Sequence, residues 1–213
     1  MNNKIHDFIL LIFNCQKYRH KALKQKETWL HNFTSMPYFH VIGNPQLTTD
    51  YLIDKEQHIL YVNVNDDYNS LPKKVISAYE AIHKEFIFSY IFKTDDDQNL
   101  LQPQFFDTIK NLLLKQIPKI HYAGHIIHVD KPYISQYHNI HPELPKNLPI
   151  LETKYCTGRL YILSDLAVQQ LISKKNQISK EYLEDYAIGY YLDPILKKNM
   201  LNLQTNKYFE DFS

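Results

Sequence analysis

The apolar positions of this chain fall into short dense runs separated by stretches of helical spacing. Phe8-Ile9-Leu10-Leu11-Ile12-Phe13 has no polar interruption, which predicts a strand buried on both faces. A polar loop with two cations, Asn14 to Arg19, leads away from it. Over residues 20–33, Ala22, Leu23, Lys26, Trp29, Leu30 and Phe33 approximate the stripe of an amphipathic helix. Tyr38 to Gly43 and His58 to Val62 read as strands, and Gly43-Asn44-Pro45 is a turn signal. Pro72 stands where a proline opens a helix, with Ser70 near the cap, and that helix carries Val75, Ile76, Ala78, Tyr79 and Ile82 on one side. Phe86 to Phe92 is a further strand. Beyond it the pattern predicts a helix over 103–116, strands at Ile120–Gly124 and Leu160–Ser164, and helices over 166–175 and 181–192. Residues 125–154, with prolines 132, 142, 145 and 149 and no clear period, read as a long ordered loop. Strands and helices that alternate in this way predict an α/β fold, with a mostly parallel central sheet and helices on both faces, residues 1–213 forming one domain.

Composition narrows the function classes. Lys and Arg number 24 against 23 Asp and Glu, so no electrostatic case exists for nucleic acid or an anionic membrane. The apolar run at Phe8–Phe13 is too short for a signal peptide or a membrane span, so the chain is expected to be soluble and unanchored, in the cytoplasm or a similar setting. Cys15 and Cys156 make no disulfide framework, which fits a reducing compartment. The 17 tyrosines suit either a sugar-binding surface or an aromatic core. Oligomeric state is not legible.

Chemistry concentrates at Lys93-Thr94-Asp95-Asp96-Asp97, directly after the strand at 86–92. Three carboxylates cannot follow that strand into an apolar interior, so the chain must emerge there at a rim. In open α/β sheets ligands sit at the carboxyl ends of the strands. Three like charges repel unless a cation offsets them, and an Asp-x-Asp spacing lets carboxylates reach a divalent cation shared with substrate phosphates. A solvated acidic turn is the alternative. Arg19, Lys74 and Lys93 are cations near element ends that could meet a diphosphate, or could simply solubilise the surface. Five histidines crowd into residues 121–141, and they read as loop polarity rather than a zinc site because no cysteine accompanies them.

Further segments fall in a telling order around the acidic run: Asp66-Asp67-Tyr68-Asn69-Ser70-Leu71-Pro72-Lys73-Lys74, Tyr122-Ala123-Gly124, Tyr155 to Ser164, and Glu184-Asp185-Tyr186-Ala187-Ile188-Gly189. With Thr28-Trp29, they resemble motifs of glycosyltransferase family 31, the inverting β-1,3-galactosyl- and N-acetylglucosaminyltransferases and their Fringe relatives. Three of the four glycines, Gly124, Gly158 and Gly189, land on motif positions. The resemblance implies a GT-A fold and transfer of a hexose or N-acetylhexosamine from a UDP-sugar to an acceptor hydroxyl of a glycan or glycoconjugate, with inversion and a β-1,3 linkage. It implies Mn²⁺ or Mg²⁺ held by Asp95 and Asp97, donor contacts from Arg19, Lys74, Lys93, Asp95 and Asp96, and Asp185 as general base, on a site separate from the metal acids. The same resemblance expects a metal-binding histidine after the Glu-Asp motif. No histidine follows His141 here, and the tail Asn206 to Asp211 could offer an oxygen instead. A catalytically silent glycan-binding relative is the alternative from another class. A nucleotidyltransferase is disfavoured because no glycine-rich phosphate loop is visible.

Overall fold

The computed structural model describes residues 4–212. The first strand, β1 (Lys4–Phe13), is followed by α1 (Arg19–Glu27), β2 (Tyr38–Gly43), β3 (Tyr51–Asp54), β4 (Ile59–Val62), α2 (Leu71–Glu85), β5 (Phe86–Asp95), β6 (Gln98–Leu100) and α3 (Phe105–Lys115). The second half runs β7 (Tyr122–Val129), β8 (Tyr133–Ile134), β9 (Pro149–Ile150), β10 (Thr153–Ser164), α4 (Asp165–Ser173), α5 (Lys175–Ile178), α6 (Glu184–Tyr191), β11 (Leu201–Asn202) and β12 (Phe209–Asp211). Eight strands form one mixed sheet in the order β11-β7-β10-β5-β1-β2-β4-β3. The pairs β5–β1, β1–β2, β2–β4 and β7–β11 are parallel, while β3–β4, β5–β10 and β7–β10 are antiparallel.

The unbroken apolar run of β1 has a direct structural cause. Ile9, Leu11 and Phe13 face a core shared with α2, α4 and α6, while Phe8, Leu10 and Ile12 face a second core shared with α3 and Phe209. Helices therefore cover both faces, as the alternating pattern requires.

Several boundaries differ from the sequence reading. The helix expected over 20–33 stops at Glu27, where Thr28 turns its hydroxyl back onto the Lys24 carbonyl, 2.8 Å away. Edge strand β3 carries only four residues and leaves Leu52 half exposed, so it gave no buried-strand signal. The stretch read as a loop from 125 holds the outer half of β7 and the start of β10. A register shift between Cys156 and Tyr161 separates that outer ribbon from the main ladder, and most of its residues are exposed or half-buried. Helix α6 starts at Glu184, not at 181. Strand β5 does not end at Phe92 but continues through Asp95, with Asp95 opposite Phe13 of β1.

Candidate active site

The carboxyl ends of β1 and β5, the first turn of α6 and the loops that follow β4 and β8 enclose a cavity of about 940 Å³. Asp95, Asp96 and Asp97 form one wall, Lys17, Tyr18 and Lys21 the adjoining one, and Tyr68, Tyr133, Tyr137, His141 and Tyr155 the other side.

Strand β5 carries Lys93 and Thr94 into the interior because both find partners there. The Thr94 hydroxyl donates to the Arg159 carbonyl at 2.6 Å. The Lys93 ammonium, 1% exposed, donates to Asp95 Oδ1 at 2.7 Å and to the Gly158 carbonyl at 2.8 Å, and pairs with Glu184 Oε2 at 3.1 Å. Burial pulls the Lys93 ammonium down, but the charges of Asp95 and Glu184 outweigh it and hold it above the usual lysine range. Glu184 also accepts from the Tyr161 hydroxyl, which lies 2.7 Å from the hydroxyl of Tyr79. A buried chain of polar groups thus links α2, β10, α6 and β5 beneath the cavity floor.

Asp185, the next residue, points the other way. Its Oδ2 accepts from the Gly158 N–H at 3.0 Å and its Oδ1 from the Tyr186 N–H at 2.8 Å. Burial raises its carboxyl above the usual range, partly countered by Lys93 and by those two backbone donors. Asp185 lines the cavity together with Tyr68, Tyr137 and Tyr155, whose hydroxyls are pushed up by burial first and by the charge of Asp185 second. Tyr68 stacks on His141 with centroids 4.0 Å apart, and Asn69 Nδ2 donates to the Glu143 carbonyl at 3.1 Å, so the two loops meet at the mouth.

Gly158 is the pivot of the site. A Cβ there would lie 3.3 Å from Lys93 Nζ, 3.4 Å from Asp95 Oδ2 and 3.8 Å from Asp185 Oδ2. The acidic run and the Asp185 carboxylate, read in the sequence as two separate stations, converge on this one backbone position.

Of the other acids, Asp96 is buried and faces Lys21 at 3.6 Å, and Asp97 lies 3.9 Å from the same ammonium. Burial pushes Asp95 up to about 6 and Asp96 up to about 7. Gln98 Nε2 donates to Asp97 Oδ1 at 2.8 Å and to Asp211 Oδ1 at 2.7 Å, and Arg159 grips both oxygens of Asp211 at 3.0 and 3.1 Å. The turn itself is held from α1 and the segment after it: Gln25 Nε2 donates to the carbonyls of Asp95 and Gln98 at 3.1 and 3.0 Å, and Trp29 Nε1 to that of Gln98 at 3.0 Å.

The cations named from the sequence fare differently. Lys74 lines the cavity but is buried, donating to the Asn14 carbonyl and to Asp66 Oδ1, both at 2.8 Å. Arg19 is exposed and does not line the cavity. Lys21, Gly158, Arg159 and Glu184 also line the cavity. Gly158, Arg159 and Glu184 fall within the motif segments quoted above, whereas Lys21 carries no such signal in the sequence. Of the five clustered histidines, His141 lines the cavity, whereas His121 bonds Ser164 at 2.8 Å.

Among the described residues no group of three or more His, Cys, Asp or Glu side chains is placed to hold a metal ion. Each of Asp95 and Asp97 already has one oxygen occupied by a protein donor. Hard divalent cations commonly take one or two carboxylates and complete their shell with substrate phosphates and water. The donor set here fits a cation shared with a bound diphosphate, not one caged by protein alone.

Residues 18–198 match the family described as Galactosyltransferase. The chain belongs to that family. Among solved structures it is similar to a glycosyltransferase involved in the glycosylation of the major capsid of PBCV-1, at 10% identity and a TM-score of 0.50, covering 94% of this chain and 83% of that one. A further similar structure is the mannosyltransferase Ktr4p from S. cerevisiae, at 8% identity and a TM-score of 0.42, covering 87% of this chain and 65% of that one. No curated protein matches significantly. The architecture is the GT-A, Rossmann-like fold of glycosyltransferases, and the chain is a glycosyltransferase that takes its sugar from a nucleotide-sugar donor. No helix among the described residues is long and apolar enough to cross a membrane.

Proposed function

We propose that the protein transfers a hexose or N-acetylhexosamine from a UDP-sugar to a hydroxyl of a sugar acceptor, with inversion and formation of a β-1,3 linkage. The observation that carries this reading is Asp185: a carboxylate aimed into the cavity, fixed by two backbone N–H groups, beside the acidic run and facing tyrosines. In this reading Asp185 accepts the proton of the acceptor hydroxyl as that oxygen attacks the sugar carbon from the face opposite the departing diphosphate. Its raised proton affinity suits a general base better than an ordinary surface carboxylate would. The aromatic side holds the acceptor ring and keeps competing water away from the reacting carbon. Asp95 and Asp97 would hold Mn²⁺ or Mg²⁺, and such a cation offsets the charge of the leaving diphosphate when bound. Lys93 keeps Asp95 in position from below.

The test is UDP release from a panel of UDP-sugars with Mn²⁺, with and without acceptor sugars. Asp185→Asn is expected to leave UDP binding near wild type while cutting turnover at least about a hundredfold. Near-normal turnover in that variant removes Asp185 from the mechanism. Absence of both UDP release and nucleotide binding in the wild type would instead favour a silent glycan-binding module.

A further inference from the structure

The cavity contains a cation that the acidic run does not hold tightly. Lys93 and Lys74 cannot leave their places, since both are buried and each is engaged by two or more oxygens. Lys21 differs in every respect. Its side chain is 32% exposed, lines the cavity, and stands 3.6 Å from Asp96 Oδ1 and 3.9 Å from Asp97 Oδ2. Both separations are too long for a charge-assisted hydrogen bond, so the contact is Coulombic and loose. The ring of Tyr18 lies 5.0 Å from the same ammonium, a weak contact made alongside the two carboxylates. It is mounted on α1, whose Gln25 is tied to the acidic turn, so the backbone that carries Lys21 is anchored to the acids while its half-buried side chain is held there only by the long contacts just given.

We infer that Lys21 is a displaceable counter-ion: it neutralises Asp96 and Asp97 while the donor site is empty, and moves onto the donor's diphosphate when a divalent cation takes its place on Asp97. This inference rests on the proposed sharing of a cation between Asp97 and the donor. A single ammonium cannot occupy both positions, so Lys21 opposes the metal in the empty site and assists the nucleotide in the filled one. The two roles have opposite signs, and a residue with only a structural role would show neither pattern.

Calorimetry on the full chain separates them, with MnCl₂ alone and with UDP at saturating Mn²⁺. Lys21→Met is expected to bind Mn²⁺ alone about fivefold more tightly, the scale of a partly exposed charge contact, yet to bind UDP with Mn²⁺ about tenfold more weakly, the loss of one charged hydrogen bond. Lys21→Arg, which keeps the charge, is expected to stay near wild type on both axes. Unchanged or weaker Mn²⁺ binding in Lys21→Met overturns the inference, as does equal behaviour of the Met and Arg variants. If the wild type binds UDP with Mn²⁺ and only the Lys21 pattern is missing, the inference alone fails. If the wild type binds neither, the metal-sharing reading fails and the inference falls with it.

Discussion

Lys93 shows how much one side chain can organise. An ammonium has three donors, and here Asp95, Glu184 and the Gly158 carbonyl surround it. Removing its charge strands the buried Glu184 carboxylate, which is far costlier than losing a surface pair. Lys93→Met is therefore expected to lower folding stability by about 3–5 kcal/mol, read from the midpoint and slope of urea unfolding. A loss below about 1 kcal/mol would show that the pair behaves like an exposed one. In the sequence this lysine reads as a cation beside an acidic run, better suited to the surface than to a diphosphate. Its burial is decided by Glu184, 91 positions further along, and no local pattern reveals such a pairing. Asp185 and the acidic triplet were legible because their motifs are contiguous, whereas Lys21 sits on a helix whose polar positions look alike.

At the scale of elements, the site depends on how closely α6 approaches β10. A Cβ on Gly189 would overlap Tyr155 Cβ and lie 2.6 Å from Tyr155 Cα and 2.9 Å from the Lys154 carbonyl. Since the obstacle is backbone, a larger residue must push the whole helix away, and with it Glu184 and Asp185 at its first turn. Gly189→Ala is expected to cost about 1–3 kcal/mol of stability and to reduce turnover in the same preparation, checked by thermal unfolding alongside UDP release. Normal stability with normal turnover would mean that α6 has slack the structure does not show. The interior strands and the helices that cover them were legible from apolar runs and stripes, which report burial directly. The edge strand β3, the outer β7–β10 ribbon and the short β6–β12 pair were not. Each has a face with little core behind it, so no run of apolar residues marks it.

Across the molecule, buried charge sets how stability responds to pH. Burial pushes Asp95 up to about 6 and Asp96 up to about 7, against the attraction of Lys93 and Lys21. The unfolded chain releases these protons near pH 4, so from there to about pH 7 the folded state binds more protons. Their contribution to stability is therefore full below about pH 4 and lost as the pH rises through 6 to 7. His40 acts in the opposite sense: burial lowers it to about 3, so its contribution is full above about pH 6.5 and lost as the pH falls toward 3. Because the two trends overlap, a difference experiment isolates one of them. Asp96→Asn is expected to gain on the wild type between about pH 4 and pH 7, the gap in urea midpoint widening while folded Asp96 keeps the proton that the unfolded chain has released, and levelling off above about pH 7 as Asp96 ionises in the folded wild type. A gap that is constant over that range would mean Asp96 ionises near the ordinary carboxylate value.

The turn that presents these acids is read out by light as well as by chemistry. The chain has one tryptophan, Trp29, and its indole N–H donates to the carbonyl of Gln98, the residue after Asp97. Excitation beyond the tyrosine absorption band therefore addresses a single indole, one that is hydrogen-bonded to the acidic turn. The protein thus carries an intrinsic optical gauge of its acidic turn, without label or engineered probe.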